Sequence, residues 1–189
     1  MDDTGITLQE RKSRTPEILF VGRISREKGV ICLLNALNKV ASRGYFCKLK
    51  LVGQCTGYMS SHIRKAYKQL KIDILGTVSF NELKELYTTN TIGVIPSLHE
   101  QCSYVAIEMM AYGIPLVGTD TTGLKEMLED ECYISVEYIE GKKDLIMNAL
   151  TENLLTVLSL NRHKRIRDQS WKYNIENVKL QLLSFYLGM

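Results

Sequence analysis

The sequence predicts an α/β fold in which a parallel sheet of about six strands carries helices on both faces. Three observations point to it. Short apolar runs of strand length alternate with longer stretches whose apolar residues recur at helical spacing, from Glu17 onward. Glycine or proline punctuates the ends of the apolar runs, as at Gly22, Gly53 and Pro96, where strands give way to loops. Within residues 93–120 the order strand, loop, helix, strand can be read in one pass, which is the repeating unit of such a sheet.

Residues 1–16 are polar, carry no pattern and end in Thr15-Pro16, which reads as a tail or interdomain linker ahead of a folded domain over 17–189. Glu17 to Val21 is the first strand, and a loop from Gly22 to Gly29 leads into a helix whose Ile31, Leu34, Leu37 and Val40 share one face, until Gly44 ends it. Phe46 to Val52 is the second strand, closed by Gly53 and Gly57. A helix over Ser60 to Leu70 follows, with Ile63, Ala66, Tyr67 and Leu70 on one face, and Ile72 to Leu75 is a short third strand. Ser79 with Glu82 three residues later has capping-box spacing, before a helix over Leu83 to Tyr87. The apolar run Thr91 to Ile95 stops at Pro96, a polar loop carries Glu100, a helix carries Glu108 as far as Gly113, and Ile114 to Val117 is the next strand. Thr121-Thr122-Gly123 opens a short helix to Leu128, Tyr133 to Val136 is the sixth strand, and the remainder is helical, with Trp171, Ile175, Val178, Leu182 and Tyr186 on one apolar face.

The chain's 189 residues, 45% of them hydrophobic, suffice for one domain with its own core. A net charge of +3 is too small to argue for a nucleic-acid partner, and the local cluster Arg162-His163-Lys164-Arg165 with Arg167 reads as a solvated helix face. Five cysteines, with no C-x-x-C spacing and no partnered histidines, suggest neither a disulfide framework nor a zinc site; no metal is expected, and the cytoplasm is the natural compartment. No stretch is long enough to span a membrane, and Met1 to Arg14 lacks the apolar core of an export signal.

In open α/β sheets ligands bind outside the carboxyl ends of the strands, and two such places carry chemistry here. After the first strand, Gly22-Arg23 and Lys28-Gly29 put two cations beside a helix N-terminus, whose amides and dipole already favour an anion. A diphosphate suits that combination, since arginine grips phosphate oxygens with a forked pair of hydrogen bonds and lysine adds a mobile charge. Surface loops also carry arginine and lysine by chance. After the fourth strand, Glu100 lies in the loop and Glu108 on the helix, roughly 12 Å apart if the segment were helical throughout. That exceeds the roughly 5 to 9.5 Å of a hydrolytic carboxylate pair and fits two clamps on an elongated ligand. Glu108 could accept from two neighbouring hydroxyls, the geometry a ribose presents, although an exposed helical glutamate is the commoner case. Backbone amides of Gln101, Cys102, Ser103, Tyr104 and Val105 open the helix toward the same ligand, while their side chains could simply cap and pack. His99 reads as a hydrogen-bonded neighbour of Glu100, and Cys102 has no histidine partner that would make it a nucleophile.

Pro96-Ser97, Glu100, Glu108, Met110-Ala111, Gly113 and Pro115 resemble the E-x7-E signature of glycosyltransferase family 4, written P-S-x-x-E-G-F-G-L-V-x-x-E-A-M-A-x-G-x-P. The run Val21-Gly22-Arg23-Ile24 followed by Lys28-Gly29 resembles the same family's V-G-R-[LI]-x-x-x-K-G. Thr121-Thr122-Gly123 with Glu126 is similar to its T-x-G-G-x-x-E segment, with one of the two glycines present. The chain departs from the pattern at Gln101-Cys102-Ser103, where the family has Gly-Phe-Gly.

The resemblance covers Glu17 to Leu128 by motif, and it implies a Rossmann-like domain forming one half of a GT-B fold, the carboxyl-terminal half that binds the donor. Arg23 and Lys28 would hold the diphosphate of a nucleotide sugar, Glu108 its ribose, and Glu100 the sugar hydroxyls near the reacting carbon. Gly22, Ser103, Tyr104 and Val105 would line the same site, with Gly53 and the Thr77-Val78-Ser79 segment shaping the nucleobase slot. The implied activity is that of a retaining, hexosyltransferase-like glycosyltransferase with no cofactor, its donor linked to UDP or GDP and its acceptor a glycan, lipid or other hydroxyl compound. A missing amino-terminal domain would complete the enzyme, receive the terminal helix 171–187 and leave the isolated chain inactive. A peripheral contact with the inner face of a membrane is compatible with such acceptors. A different class, a non-catalytic sugar-nucleotide-binding or scaffolding module acting through a partner protein, fits the same residues. A nicotinamide-dependent oxidoreductase is disfavoured because no G-x-G-x-x-G follows the first strand.

Overall fold

The computed structural model describes residues 15–89, 92–99, 103–121, 124, 134–136 and 143–159. The sequence expectations for residues 1–14, Glu100, Gln101, Cys102, Glu126, the basic cluster 162–167 and the terminal helix 171–187 lie outside them.

All strand pairs are parallel. Strands β1 (Glu17–Val21), β2 (Lys48–Val52), β3 (Lys71–Gly76), β4 (Ile92–Ile95) and β5 (Leu116–Thr119) are followed by a three-residue edge strand, β6 (Ile134–Val136), and the spatial order is β3-β2-β1-β4-β5-β6. The predicted parallel sheet is therefore present as five strands of ordinary length and one short one. Helices α1 (Val30–Ser42), α2 (Gly57–Ala66), α3 (Phe80–Thr89), α4 (Tyr104–Ala111) and α5 (Lys143–Ser159) cover both faces. Their sides follow from crossover handedness. Stepping from β1 through β2 to β3 with right-handed crossovers lays α1 and α2 on one face, and stepping back to β4 and on to β5 lays α3 and α4 on the other.

Each strand alternates its side chains between two cores. Ile18, Phe20, Leu49, Leu51 and Val94 join α1, Ile63 of α2 and Ile146, Leu150, Leu154 and Val157 of α5 in the larger one. Leu19, Ile95 and Leu116 join Tyr87 of α3 and Ala106, Met109 and Met110 of α4 in the smaller. Helix α1 is clamped between the sheet and α5, which is why seven of its residues are buried rather than a single stripe. On the opposite face α4 approaches the sheet over Gly93, where a Cβ would stand 2.5 Å from Met109 Sδ and 2.7 Å from Leu116 Cδ2.

Several element boundaries differ from the sequence expectation, each for a local reason. Helix α2 begins at Gly57 instead of Ser60 because the Thr56 hydroxyl accepts from the Met59 N–H at 3.2 Å, and it ends at Ala66 instead of Leu70. The capping box is formed as predicted: the Ser79 N–H donates to Glu82 Oε2 at 2.8 Å and the Glu82 N–H to Ser79 Oγ at 3.4 Å. It makes Ser79 the cap, so α3 starts at Phe80, three residues earlier than its apolar spacing suggested. Strand β2 starts at Lys48, since Phe46 is 66% exposed outside the sheet. Strand β5 runs from Leu116, with Pro115 before it accepting from the Gly93 N–H at 2.8 Å.

Candidate functional site

The strand order reverses between β1 and β4, because the connections leaving these neighbours go to opposite faces of the sheet. A crevice at the carboxyl ends of two such strands is the standard ligand position in doubly wound sheets. A cleft of about 200 Å³ lies there. Phe20 and Val21 of β1 and Ile95 of β4 supply apolar walls, Gly22 and Lys28 come from the loop after β1, and Ser97, Ser103, Tyr104 and Val105 come from the loop after β4 and the start of α4.

The loop from Gly22 to Gly29 is fixed on both sides. Toward β2, the Gly22 N–H donates to Val52 O and the Ile24 N–H to Gln54 O, both at 2.9 Å. Gly22 and Gly53 pass so closely that a Cβ on Gly53 would stand 2.1 Å from the Gly22 carbonyl oxygen, and Gly53 also has φ +129°. Toward β4, the Leu98 N–H donates to Glu27 O at 3.0 Å, and Gly29, with φ +69°, abuts Pro96 so tightly that a Cβ would fall 1.7 Å from its carbonyl oxygen. Only glycine fits at that crossing. Thr119, fully buried at the end of β5, donates its hydroxyl to the carbonyls of Ile95 and Ser97 and so pins the loop that leaves β4.

Ser103 caps α4. Its hydroxyl accepts from the Ala106 N–H at 3.2 Å and its carbonyl from the Ile107 N–H at 3.2 Å. Tyr104 and Val105 are the first helical residues, so their amides have no intrahelical acceptor, and both line the cleft. Partial positive charge from these groups and the residue Lys28 therefore border one small space.

The remaining predicted residues lie around it. Arg23 is on the solvent side of the β1 loop, ion-paired with Glu27 at 3.3 Å, and is not among the residues that line the cleft. Glu108 is exposed on α4, four residues on from Tyr104 and so on the same face of the helix. One of its oxygens accepts from the Tyr87 hydroxyl at 2.6 Å. Burial, and then that carboxylate, push the Tyr87 phenol well above the ordinary tyrosine range. Val78 follows β3, packs against the smaller core and is not among the residues that line the cleft. Glu100 lies outside the described residues. The sequence did not single out Tyr87 or Thr119: Tyr87 carries the spacing of a core residue of α3, and no linear pattern reports a hydrogen bond to the next helix.

Among the described residues no cluster of histidine, cysteine, aspartate and glutamate could hold a metal ion, and no helix is long and apolar enough to cross a membrane. Three comparisons bear on this geometry. An uncharacterized glycosyltransferase of Methanocaldococcus jannaschii is 37% identical over 118 residues, which is 60% of this chain and 30% of that protein. The alpha-D-kanosaminyltransferase of Streptomyces kanamyceticus is 28% identical over 117 residues, 61% of this chain and 30% of the enzyme. The chain thus spans about 30% of the length of these curated relatives. Among solved structures, the pneumococcal O-GlcNAc transferase in complex with UDP and GlcNAc superposes with a TM-score of 0.76 at 17% identity, over 93% of this chain and 36% of that one. That likeness concerns the fold, and it agrees with the half of a GT-B fold that the sequence implied. The family model described as glycosyl transferases group 1 matches residues 15–159, from the start of β1 through α5 and across both walls of the cleft, and on that match the chain belongs to the group 1 glycosyl transferases.

Proposed function

We propose that this chain is the donor-binding part of a retaining glycosyltransferase and holds a nucleoside diphosphate sugar in the cleft between β1 and β4. The observation that carries the reading is the convergence on one cleft of Gly22 and Lys28 with the first-turn amides of α4. A diphosphate offers dense negative charge to a lysine and to a helix N-terminus, and neither partner needs a metal. Arg23 joins them by exchanging Glu27 for a phosphate oxygen; an exposed ion pair is worth at most about 1 kcal/mol, so the exchange costs little. Glu108 accepts from the ribose hydroxyls, Glu100 meets the sugar, and Gly53 and Val78 border the nucleobase. When the bond between the sugar carbon and the diphosphate oxygen breaks, the electron pair leaves with the nucleoside diphosphate. Lys28, Arg23 and the α4 amides stabilise that charge while an acceptor hydroxyl attacks from the same face and gives its proton to the departing diphosphate. UDP bound to the pneumococcal enzyme of the same fold supports the assignment of the ligand class.

A thermal-shift screen of the chain against UDP, GDP, ADP and their sugars tests the proposal. The wild type is expected to be stabilised by at least one diphosphate, with the shift reduced by Lys28→Ala, Arg23→Ala and Glu108→Ala. No response from the wild type, or variants that all respond like it, would overturn the assignment.

A further inference from the structure

We propose that Tyr87 is a positioning residue for Glu108, holding the carboxylate in place for the vicinal hydroxyls of a ribose and so giving the site a preference for ribonucleotides. The inference rests on the reading of the cleft as a nucleotide-sugar site. Tyr87 stands in the last turn of α3, 3% exposed, although it carries a hydroxyl that burial would penalise without a partner. Its partner is Glu108 Oε2, at 2.6 Å. The ring is itself held, tilted by 36° against Tyr112 with centroids 5.3 Å apart, and the Tyr112 N–H donates to the carbonyl of Glu108 at 3.1 Å. The Tyr87 hydroxyl thus holds an exposed glutamate side chain that would otherwise sample many rotamers, and Tyr112 steadies the ring that carries it.

The chemistry of a carboxylate explains what the arrangement provides. Two oxygens offer about four acceptor positions, and Tyr87 takes one, so both oxygens can still accept from a hydroxyl. Burial and the carboxylate hold the Tyr87 phenol protonated, so Tyr87 is the donor of this hydrogen bond. A ligand lacking ribose hydroxyls gains nothing from this order, which makes the role separable from a general contribution to folding.

Titration calorimetry with UDP, GDP and ADP and with their 2′,3′-dideoxy analogues, on wild type, Tyr87→Phe, Glu108→Ala and the double variant, tests the inference. Tyr87→Phe keeps the ring and its contact with Tyr112. It is expected to weaken the bound ribonucleotide about tenfold, the dideoxy analogue less than about twofold, and to add no loss in the Glu108→Ala background. Equal losses on both ligands, no loss at all, or additive losses with Glu108→Ala would overturn it. A second readout needs no stable variant: the Tyr87 phenolic proton should appear as a slowly exchanging low-field resonance and shift with the ribonucleotide but not with the dideoxy analogue, and the same shift with both would contradict the proposal. A wild type that binds nucleotides without distinguishing ribose from dideoxyribose removes this inference and the ribose role of Glu108, and leaves the diphosphate reading of the cleft in place. A wild type that binds none of them removes the nucleotide reading and this inference together.

Discussion

Among the described glycines, Gly29 carries the tightest constraint. Its φ of +69° and the 1.7 Å that would separate a Cβ from the Pro96 carbonyl oxygen mean that Gly29→Ala must push apart the loops forming the two walls of the cleft. The substitution is expected to destabilise the protein by roughly 2 kcal/mol or more, measured by chemical denaturation. Ser103→Ala, which removes the cap of α4, should cost about 1 kcal/mol in the same experiment. Cys47 behaves differently. Burial pushes its thiol from 9.0 up to about 11, so the folded protein holds this proton more tightly than the unfolded chain. The resulting stability is complete below pH 9 and is lost as pH rises toward 11. Denaturation curves for wild type and Cys47→Ala should therefore converge over that interval, and parallel curves would show that Cys47 does not contribute.

At the scale of elements, packing outweighs charge. Leu150 of α5 is fully buried against α1, whereas the Arg43–Glu152 pair that also joins these helices lies in solvent at 2.7 Å. Leu150→Ala is expected to cost about 2–5 kcal/mol, and Arg43→Ala less than about 1 kcal/mol, both from denaturant midpoints. The loop leaving β4 depends instead on one hydroxyl. Thr119→Val preserves shape but leaves the carbonyls of Ile95 and Ser97 without that donor, so the Leu98 amide should exchange faster by hydrogen exchange while the amides of α1 are unchanged. The sequence exposed these elements unevenly. Strands and helices were legible because two-residue and 3.6-residue apolar periods are local properties, and the Ser79–Glu82 box was legible because both partners lie within one turn. The start of α2 at Gly57 was missed because its cap, Thr56, lies outside the apolar pattern. The true start of β2 was missed because Phe46 looks like a strand residue and only the fold shows it in solvent.

For the whole molecule, the cleft could be foreseen from chain order and its fine geometry could not. The loop with Gly22 and Lys28 and the helix beginning at Tyr104 are more than 70 residues apart in sequence, and they meet because β1 and β4 are neighbours in a sheet whose order reverses there. Motif spacing located both halves. It did not reveal that Thr119 anchors the β4 loop or that Glu108 is held by a tyrosine from the preceding helix, because each is a contact between residues more than 20 apart in sequence, set by three-dimensional packing; the surface pair of Arg23 with Glu27 is local, but spacing alone did not say that the two would meet. The most direct test of the central claim is an amide-resolved NMR titration of the chain with UDP and with GDP. The account predicts that the amides of Gly22, Lys28, Tyr104 and Val105 shift together with one affinity. Shifts confined to other parts of the surface, or no shifts with either nucleotide, would contradict it.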